Sequence, residues 1–150
     1  MIVGEAPGFE EEKLGRPFVG RSGQLLDTAL RAVGFSRDGI YLTNVMKEVP
    51  LTEDGKIRRP TEEEVLEWSG ILRGEIETTA PACILALGRT AVQALTDIDG
   101  DLVPFGSKVG HVWTAYHPAY ILRQRRKMDE WVTEQILPWA QAVDLAAFNG

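Results

Sequence analysis

A single cysteine among 150 residues excludes an internal disulfide and any metal or iron-sulfur site built from several thiolates of this chain. No apolar run approaches the roughly 20 residues that a membrane span requires. The opening Met-Ile-Val-Gly-Glu has neither the basic flank nor the apolar stretch of a secretory signal. Positive charge is in deficit: 16 Lys and Arg against 22 Asp and Glu give a net charge of −6, which argues against indiscriminate coating of nucleic acid. Internal repeats, low-complexity tracts and linker-like stretches are absent, as is the Gly-x-Gly-x-x-Gly fingerprint of dinucleotide binders. One domain over residues 1–150, cytoplasmic or otherwise intracellular and off the membrane, is the expectation.

What is present is an ordinary globular composition, 44% hydrophobic, in a chain long enough for a real core. The positive charge is clustered. Lys56, Arg58 and Arg59 form one group; Arg123, Arg125, Arg126 and Lys127 form another. Docking on nucleic acid depends on the local field at one face rather than on net charge. These clusters therefore keep DNA open as a partner, although a solvated charged face would look the same.

Short apolar β-rich runs alternate with helical patterns. Met1 to Val3, Ile40 to Thr43, Cys83 to Leu87 and Val112 to Tyr116 read as four strands. A helix is expected from about Ser22 to Val33, with Leu25, Leu26, Ala29, Leu30 and Val33 on one face, Ser22 as N-cap and Gly34 as stop. Thr61 followed by Glu62, Glu63 and Glu64 marks a helix start favoured by the macrodipole. That helix should reach about Thr78, a shorter one should span Arg89 to Leu95, and Met128 to Phe148 reads as a closing helix interrupted near Pro138. Residues 9–20 and 99–110 read as loops. The alternation predicts an α/β fold, a three-layer α/β/α sandwich on a central four-stranded parallel sheet. Ligands of such sheets bind beyond the carboxyl ends of the strands. The segments Gly4 to Gly8, Asn44 to Lys47, Gly88 to Thr90 and His117 to Ala119 should therefore converge.

Three of those segments carry motifs. Gly4-Glu5-Ala6-Pro7-Gly8 with Gly15-Arg16-Pro17-Phe18-Val19-Gly20-Arg21-Ser22-Gly23-Gln24-Leu25-Leu26, then Thr43-Asn44-Val45-Met46-Lys47, then His117-Pro118-Ala119, occur in that order. In order and spacing they resemble the signatures of the family 4 uracil-DNA glycosylases, and the resemblance covers nearly the whole chain. It implies an enzyme that flips uracil out of DNA, because a base inside a duplex is out of reach, and hydrolyses its N-glycosidic bond to leave an abasic site and free uracil.

The resemblance also implies roles. Phe18 would stack on the flipped pyrimidine. Asn44 carries a donor and an acceptor on one amide, matching uracil N3–H and O4 and mismatching cytosine. Glu11 would crowd the C5 edge and exclude thymine, and Gly4, Ala6, Pro7 and Gly8 would complete the substrate pocket. His117 would donate to uracil O2, where negative charge develops as the bond breaks. Glu5 would place the attacking water or act as general base. In family 1 a catalytic aspartate stands one position further on, where this chain has Ala6. After His117, Tyr120, Ile121 and Leu122 belong to a loop that inserts an apolar side chain into the gap, Ile121 or Leu122 being the wedge. From the basic clusters, Arg123 and Arg125, and likewise Arg58 and Arg59, would meet phosphates, as would the backbone N–H groups of Ser22 and Gly23.

Each residue also has a plainer reading: a core aromatic, a turn asparagine, a solvated or capping glutamate, a structural histidine. One departure is clear. Family 4 enzymes hold a four-iron, four-sulfur cluster on four cysteines, whose third and fourth positions fall here on Glu48 and near Trp68; the first two would precede the first motif. The expectation is therefore no cofactor and no metal, with Trp68 substituting as packing and Cys83 a small buried hydrophobe. A monomeric, monofunctional glycosylase, a non-catalytic DNA- or uracil-binding module of the same fold, and a glycosylase for another deaminated base all stay open at this point.

Overall fold

The structure is a computed structural model and describes residues 1–149. Its centre is a five-stranded sheet of β1 (Ile2–Gly4), β2 (Leu42–Asn44), β3 (Ile84–Leu87), β4 (Lys108–Val109) and β5 (Val112–Ala115), in the order β2-β1-β3-β5-β4. Four strands are parallel, and β4 pairs antiparallel with β5 at one edge. The expected parallel sheet is present. The additional edge strand arises inside the segment read as a loop over residues 99–110, because Gly110 at φ 60° turns the chain directly back into β5.

Parallel strands covered on both faces read as continuous apolar runs, with alternate side chains serving opposite layers. Ile2, Leu85, Leu87 and Ala115 point to one side. There they meet Leu25, Leu26, Ala29 and Leu30 of α2 (Arg21–Ala32), Ile121 of α5 (Pro118–Arg123), and the C-terminal helical segment. Val3, Ile84, Ala86 and Val112 point to the other, against Leu72 of α3 (Glu62–Thr79) and Ala91 and Val92 of α4 (Arg89–Thr96). This is a three-layer α/β/α arrangement.

Local signals explain most boundaries. Thr61 caps α3 through a reciprocal box with Glu64, satisfying amide donors that the first turn leaves open. Ser22, expected as the cap of α2, lies one residue inside the helix; Gly20 holds the cap position and the helix begins at Arg21. Residues 9–20 are not all loop, since α1 spans Phe9–Leu14. That helix buries none of its own residues, so no apolar stripe announces it. Near Pro138 the closing segment runs as α6 (Met128–Glu130), a π-helical stretch over Trp131–Ile136 and α7 (Leu137–Asn149). A proline lacks the N–H that would reach back four residues, and a widened turn just ahead of it accommodates the loss.

Trp68 does not act as substitute packing: it is half-buried on α3 and belongs to neither core. Leu72 is the one fully buried residue of that helix. Among the described residues no helix is long and apolar enough to cross a membrane.

Candidate active site

The register places Gly4 beside Asn44 at the ends of β1 and β2, and Leu87 beside Ala115 at the ends of β3 and β5. Strand order reverses direction at β1, which has β2 on one side and β3 on the other; a crevice at such a switch point is where ligands of open α/β sheets bind. A cavity of about 260 Å³ lies there, and Glu5, Phe18, Asn44 and His117 all line it. Ala6, Pro7, Gly8, Glu11, Ser22 and Gly23 complete most of its wall.

Gly4 is buried behind this wall rather than part of it. A Cβ at Gly4 would sit 2.5 Å from both Asn44 Oδ1 and the Phe18 ring, so the missing side chain is what lets amide and aromatic approach each other. Its expected place among the substrate contacts becomes a place in the support beneath them. Gly23 acts similarly: a Cβ there would fall 1.8 Å from the Phe18 carbonyl oxygen. Gly23 is buried under Phe18, and it lines the cavity together with the less buried Ser22.

Asn44 is 6% exposed, yet among the described residues its side-chain amide takes no hydrogen-bond partner. The amide is not sealed off from solvent but opens on the cavity, so its donor and acceptor capacity is left for a ligand. Its backbone is well held. Lys47 Nζ donates to the Asn44 carbonyl at 2.5 Å and to Thr43 Oγ1 at 2.6 Å, and pairs with Glu75 of α3. Glu75 in turn accepts from Tyr41 and Thr43, each at 2.7 Å. Burial alone would raise the Glu75 carboxyl, but Lys47, Thr43 and Tyr41 together hold it below its ordinary value. This network lines a larger, more open cavity of about 390 Å³ on the far side of Asn44. Lys47 and Glu75 are matched to each other there, and of the other charged residues lining it Glu12 and Arg16 are exposed. Phe18, Glu5 and His117 line the smaller cavity alone.

His117 caps α5 by accepting the Ala119 N–H at Nδ1, 3.1 Å away. An accepting Nδ1 assigns the proton of the neutral ring to Nε2. Burial, and next the charge of Arg123, pull the imidazole down to about 4. At neutral pH the ring is therefore an uncharged N–H donor. Its centroid lies 6.2 Å from that of Phe18.

Glu5 receives a hydrogen bond from Thr90 Oγ1 at 2.5 Å. Thr90, on the first turn of α4, is the site-supporting residue that sequence reasoning missed. Its one signal was membership of the segment after β3 expected to converge with the others. Glu11 is neither solvated nor free: its carboxylate accepts from the backbone N–H groups of Gly8, Val19 and Gly20 at 3.0, 2.9 and 2.7 Å. Burial would raise its pKa, but those amides outweigh it and the net shift is downward.

The residues expected to bind DNA divide. Ile121 is fully buried in the core, because the chain after Pro118 is helical and turns it inward; it cannot be an inserting wedge. Leu122 is half-buried and Arg123, Arg125 and Arg59 are exposed. Tyr120 stacks on Tyr116 at 4.7 Å with Lys127 over both rings. Arg58 lines the cavity, but its guanidinium is matched to Glu64 at 2.6 Å. That pairing leaves it a poor point charge for phosphate.

The fit to an iron-sulfur cluster fails on donor chemistry. The positions that the family pattern would supply from this stretch hold Glu48 and Trp68, and Cys83 lies buried in the core.

The sequence family described as the uracil DNA glycosylase superfamily matches residues 1–141. Among curated relatives, a type-4 uracil-DNA glycosylase of Thermotoga maritima is 40% identical over 134 residues, covering 83% of this chain and 67% of that protein. One from Archaeoglobus fulgidus is 34% identical over 148 residues, covering 89% and 72%. A type-5 uracil-DNA glycosylase of Pyrobaculum aerophilum is 33% identical over 141 residues, covering 79% and 60%.

Proposed function

The chain belongs to the uracil-DNA glycosylase superfamily, and we propose that it is a monofunctional glycosylase that takes uracil out of DNA and hydrolyses its bond to the sugar. One observation carries this reading: Phe18, Asn44 and His117 line a single cavity, with the Asn44 amide unspent and His117 an uncharged donor.

An extruded uracil stacks on Phe18 and pairs its N3–H and O4 with the acceptor and donor of Asn44. Cytosine offers the opposite pattern and leaves buried groups unpaired, a mismatch that costs orders of magnitude in rate. As the C1′–N1 bond breaks, its electron pair moves into the ring and charge accumulates on O2. His117 Nε2–H meets that charge, which exists mainly in the transition state. A water oxygen, placed by Glu5, bonds to C1′ and passes a proton to the Glu5 carboxylate, which returns it to solvent. The departing uracil anion takes up a proton from solvent, leaving an abasic sugar and free uracil. Ala6 stands where family 1 has its aspartate, so leaving-group stabilisation carries more of the reaction than base strength. Lys47 is fully engaged with Glu75, Thr43 and Asn44, which supports hydrolysis without a Schiff base or strand cleavage. Glu11 holds the loop against the uracil C5 edge, and Leu122, Arg123 and Arg125 face the strand.

The test is direct. Single- and double-stranded oligonucleotides with one uracil are incubated with the protein, and free uracil and alkali-sensitive scission are measured. Release of uracil with scission at that position is expected. Binding without release would make the protein a non-catalytic module, and release only of deaminated purines would reassign its substrate.

A further inference from the structure

The polar excursion between β2 and α3 folds into a compact hairpin. Leu51 and Ile57 pair across it as an antiparallel bridge. Arg58 N–H donates to the Pro50 carbonyl at 3.0 Å, and Thr52 N–H to the Lys56 carbonyl at 2.8 Å. Side-chain bonds brace it further. Thr52 Oγ1 bonds to Asp54 and accepts the Lys56 N–H, while Arg58 Nε donates to the Leu51 carbonyl at 3.0 Å. Arg58 then anchors the base of the hairpin to Glu64 in the first turn of α3.

On this fixed frame the chain displays two apolar side chains. Directly paired residues share one face of a hairpin, and here Leu51 is 40% and Ile57 is 51% exposed. Ile57 also lines the same cavity as Phe18, Asn44 and His117. A β-branched side chain half in solvent at the mouth of a base-sized cavity, flanked by exposed Lys56 and Arg59, has the character of side chains that enter a base stack. Such wedges are apolar, rigidly mounted and set beside phosphate-binding charge. The burial of Ile121 removes one candidate from the opposite rim and sharpens the contrast.

We propose that Ile57 is an insertion residue, which enters the base stack beside an extruded nucleotide and holds the gap open while the base occupies the cavity. This rests on the glycosylase reading and names the surface that delivers the base. The occupant of the hairpin face is the base pair flanking the uracil, because the side chain borders the cavity mouth and the exposed Arg59 beside it has no ion-pair partner among the described residues. Lys56 is paired with Asp54 at 3.4 Å, and the acidic Glu53 and Asp54 lie at the turn, away from Ile57 in sequence. Insertion stabilises extrusion only where a stack must be broken, so its contribution belongs to duplex substrates.

The experiment compares wild type with Ile57→Ala and Ile57→Leu on a duplex carrying uracil next to 2-aminopurine, and on the corresponding single strand. Ile57→Ala is expected to slow duplex excision about tenfold and to reduce the 2-aminopurine fluorescence rise on binding, with single-strand excision changed less than about twofold. Ile57→Leu should recover most of both. An equal loss on the two substrates, or no loss on either, overturns the proposal. If wild type unstacks the 2-aminopurine without excising uracil, the glycosylase reading fails, and the fluorescence of Ile57→Ala alone then decides the role of Ile57. A wild type that neither excises nor unstacks overturns both.

Discussion

Arg37 holds Phe18 by its backbone: the guanidinium of one donates to the carbonyl of the other, while Phe18 carries a φ of 52°. Left-handed backbone in a bulky residue is strained and persists only when its surroundings over-determine it. Here they do. Arg37 also donates to the Pro17 carbonyl at 3.3 Å and is itself fixed by Asp27 at 2.7 Å, and Gly23 leaves room for the Phe18 carbonyl against α2. The ring is aimed at the cavity through its main chain.

Arg37→Ala should therefore release about 1–3 kcal/mol of held strain into a relaxed loop and lower excision. If the effect runs through the ring, the same change should cost little further activity in a Phe18→Ala background. Excision rates for the two single variants and the double variant measure this. Fully additive losses would show that Arg37 acts elsewhere.

Thr90 should act on rate rather than on binding. Thr90→Val keeps the shape and removes the hydrogen bond that orients Glu5. We expect kcat to fall about tenfold with KM nearly constant, the pattern of an interaction used mainly in the transition state. Thr90→Ser should restore the rate. A rise in KM with kcat unchanged would assign Thr90 to substrate binding.

What was legible in the sequence follows from how far each signal reaches. Strands Ile84–Leu87 and Val112–Ala115 and the capping box of Thr61 and Glu64 are local patterns, and they stand where the residues imply. Convergence of the segments after the strands followed from parallel topology alone. Thr90 meets Glu5 across 85 residues, and nothing near either one announces the other. Ile121 and Ile57 mislead for opposite reasons. The first sits among loop-like motif residues but on the inner face of α5; the second sits in a polar run and reads as incidental. Helix α1 was missed because Glu10, Glu11 and Glu12 look like solvated loop, whereas Glu11 turns back to bind three amides.

Glu11→Gln tests that last point. A carboxylamide offers one oxygen where three N–H groups now converge, and its NH₂ faces donors. The loss expected at pH 7 is about 1–3 kcal/mol, the cost of leaving partly buried amides short of a charged acceptor. The sign with pH is fixed by the lowered carboxyl pKa. The wild-type advantage is complete above the unfolded value near 4.5 and is lost as pH falls through the lower folded value. Urea unfolding of both proteins at pH 7 and at about pH 3 should show the gap narrowing in acid. A gap that is constant with pH would mean the carboxylate charge is irrelevant to the loop.

His117 gives the opposite kind of titration, since it is a base whose folded pKa is depressed. The unfolded chain takes up this proton near 6.5, whereas the folded chain resists until about 4, through burial and then the charge of Arg123. Between those values the unfolded state binds more protons, so stability should fall as pH drops from 6.5 towards 4, by roughly 3 kcal/mol at most from this group. His117→Gln should flatten that part of the profile. Arg123→Ala should raise the pKa of His117 and so narrow the sloping window from its acid end, lessening the total loss. Catalysis should follow the same group. Loss of the uncharged ring should set an acid limb near pH 4 rather than 6.5, with Nε2 protonated and Nδ1 accepting from Ala119 throughout the plateau. Imidazole ¹⁵N shifts recorded across the titration resolve both nitrogens. A ring that titrates at 6.5, or one with its proton on Nδ1, would leave uracil O2 without its donor and remove the chemical basis of cleavage at this site.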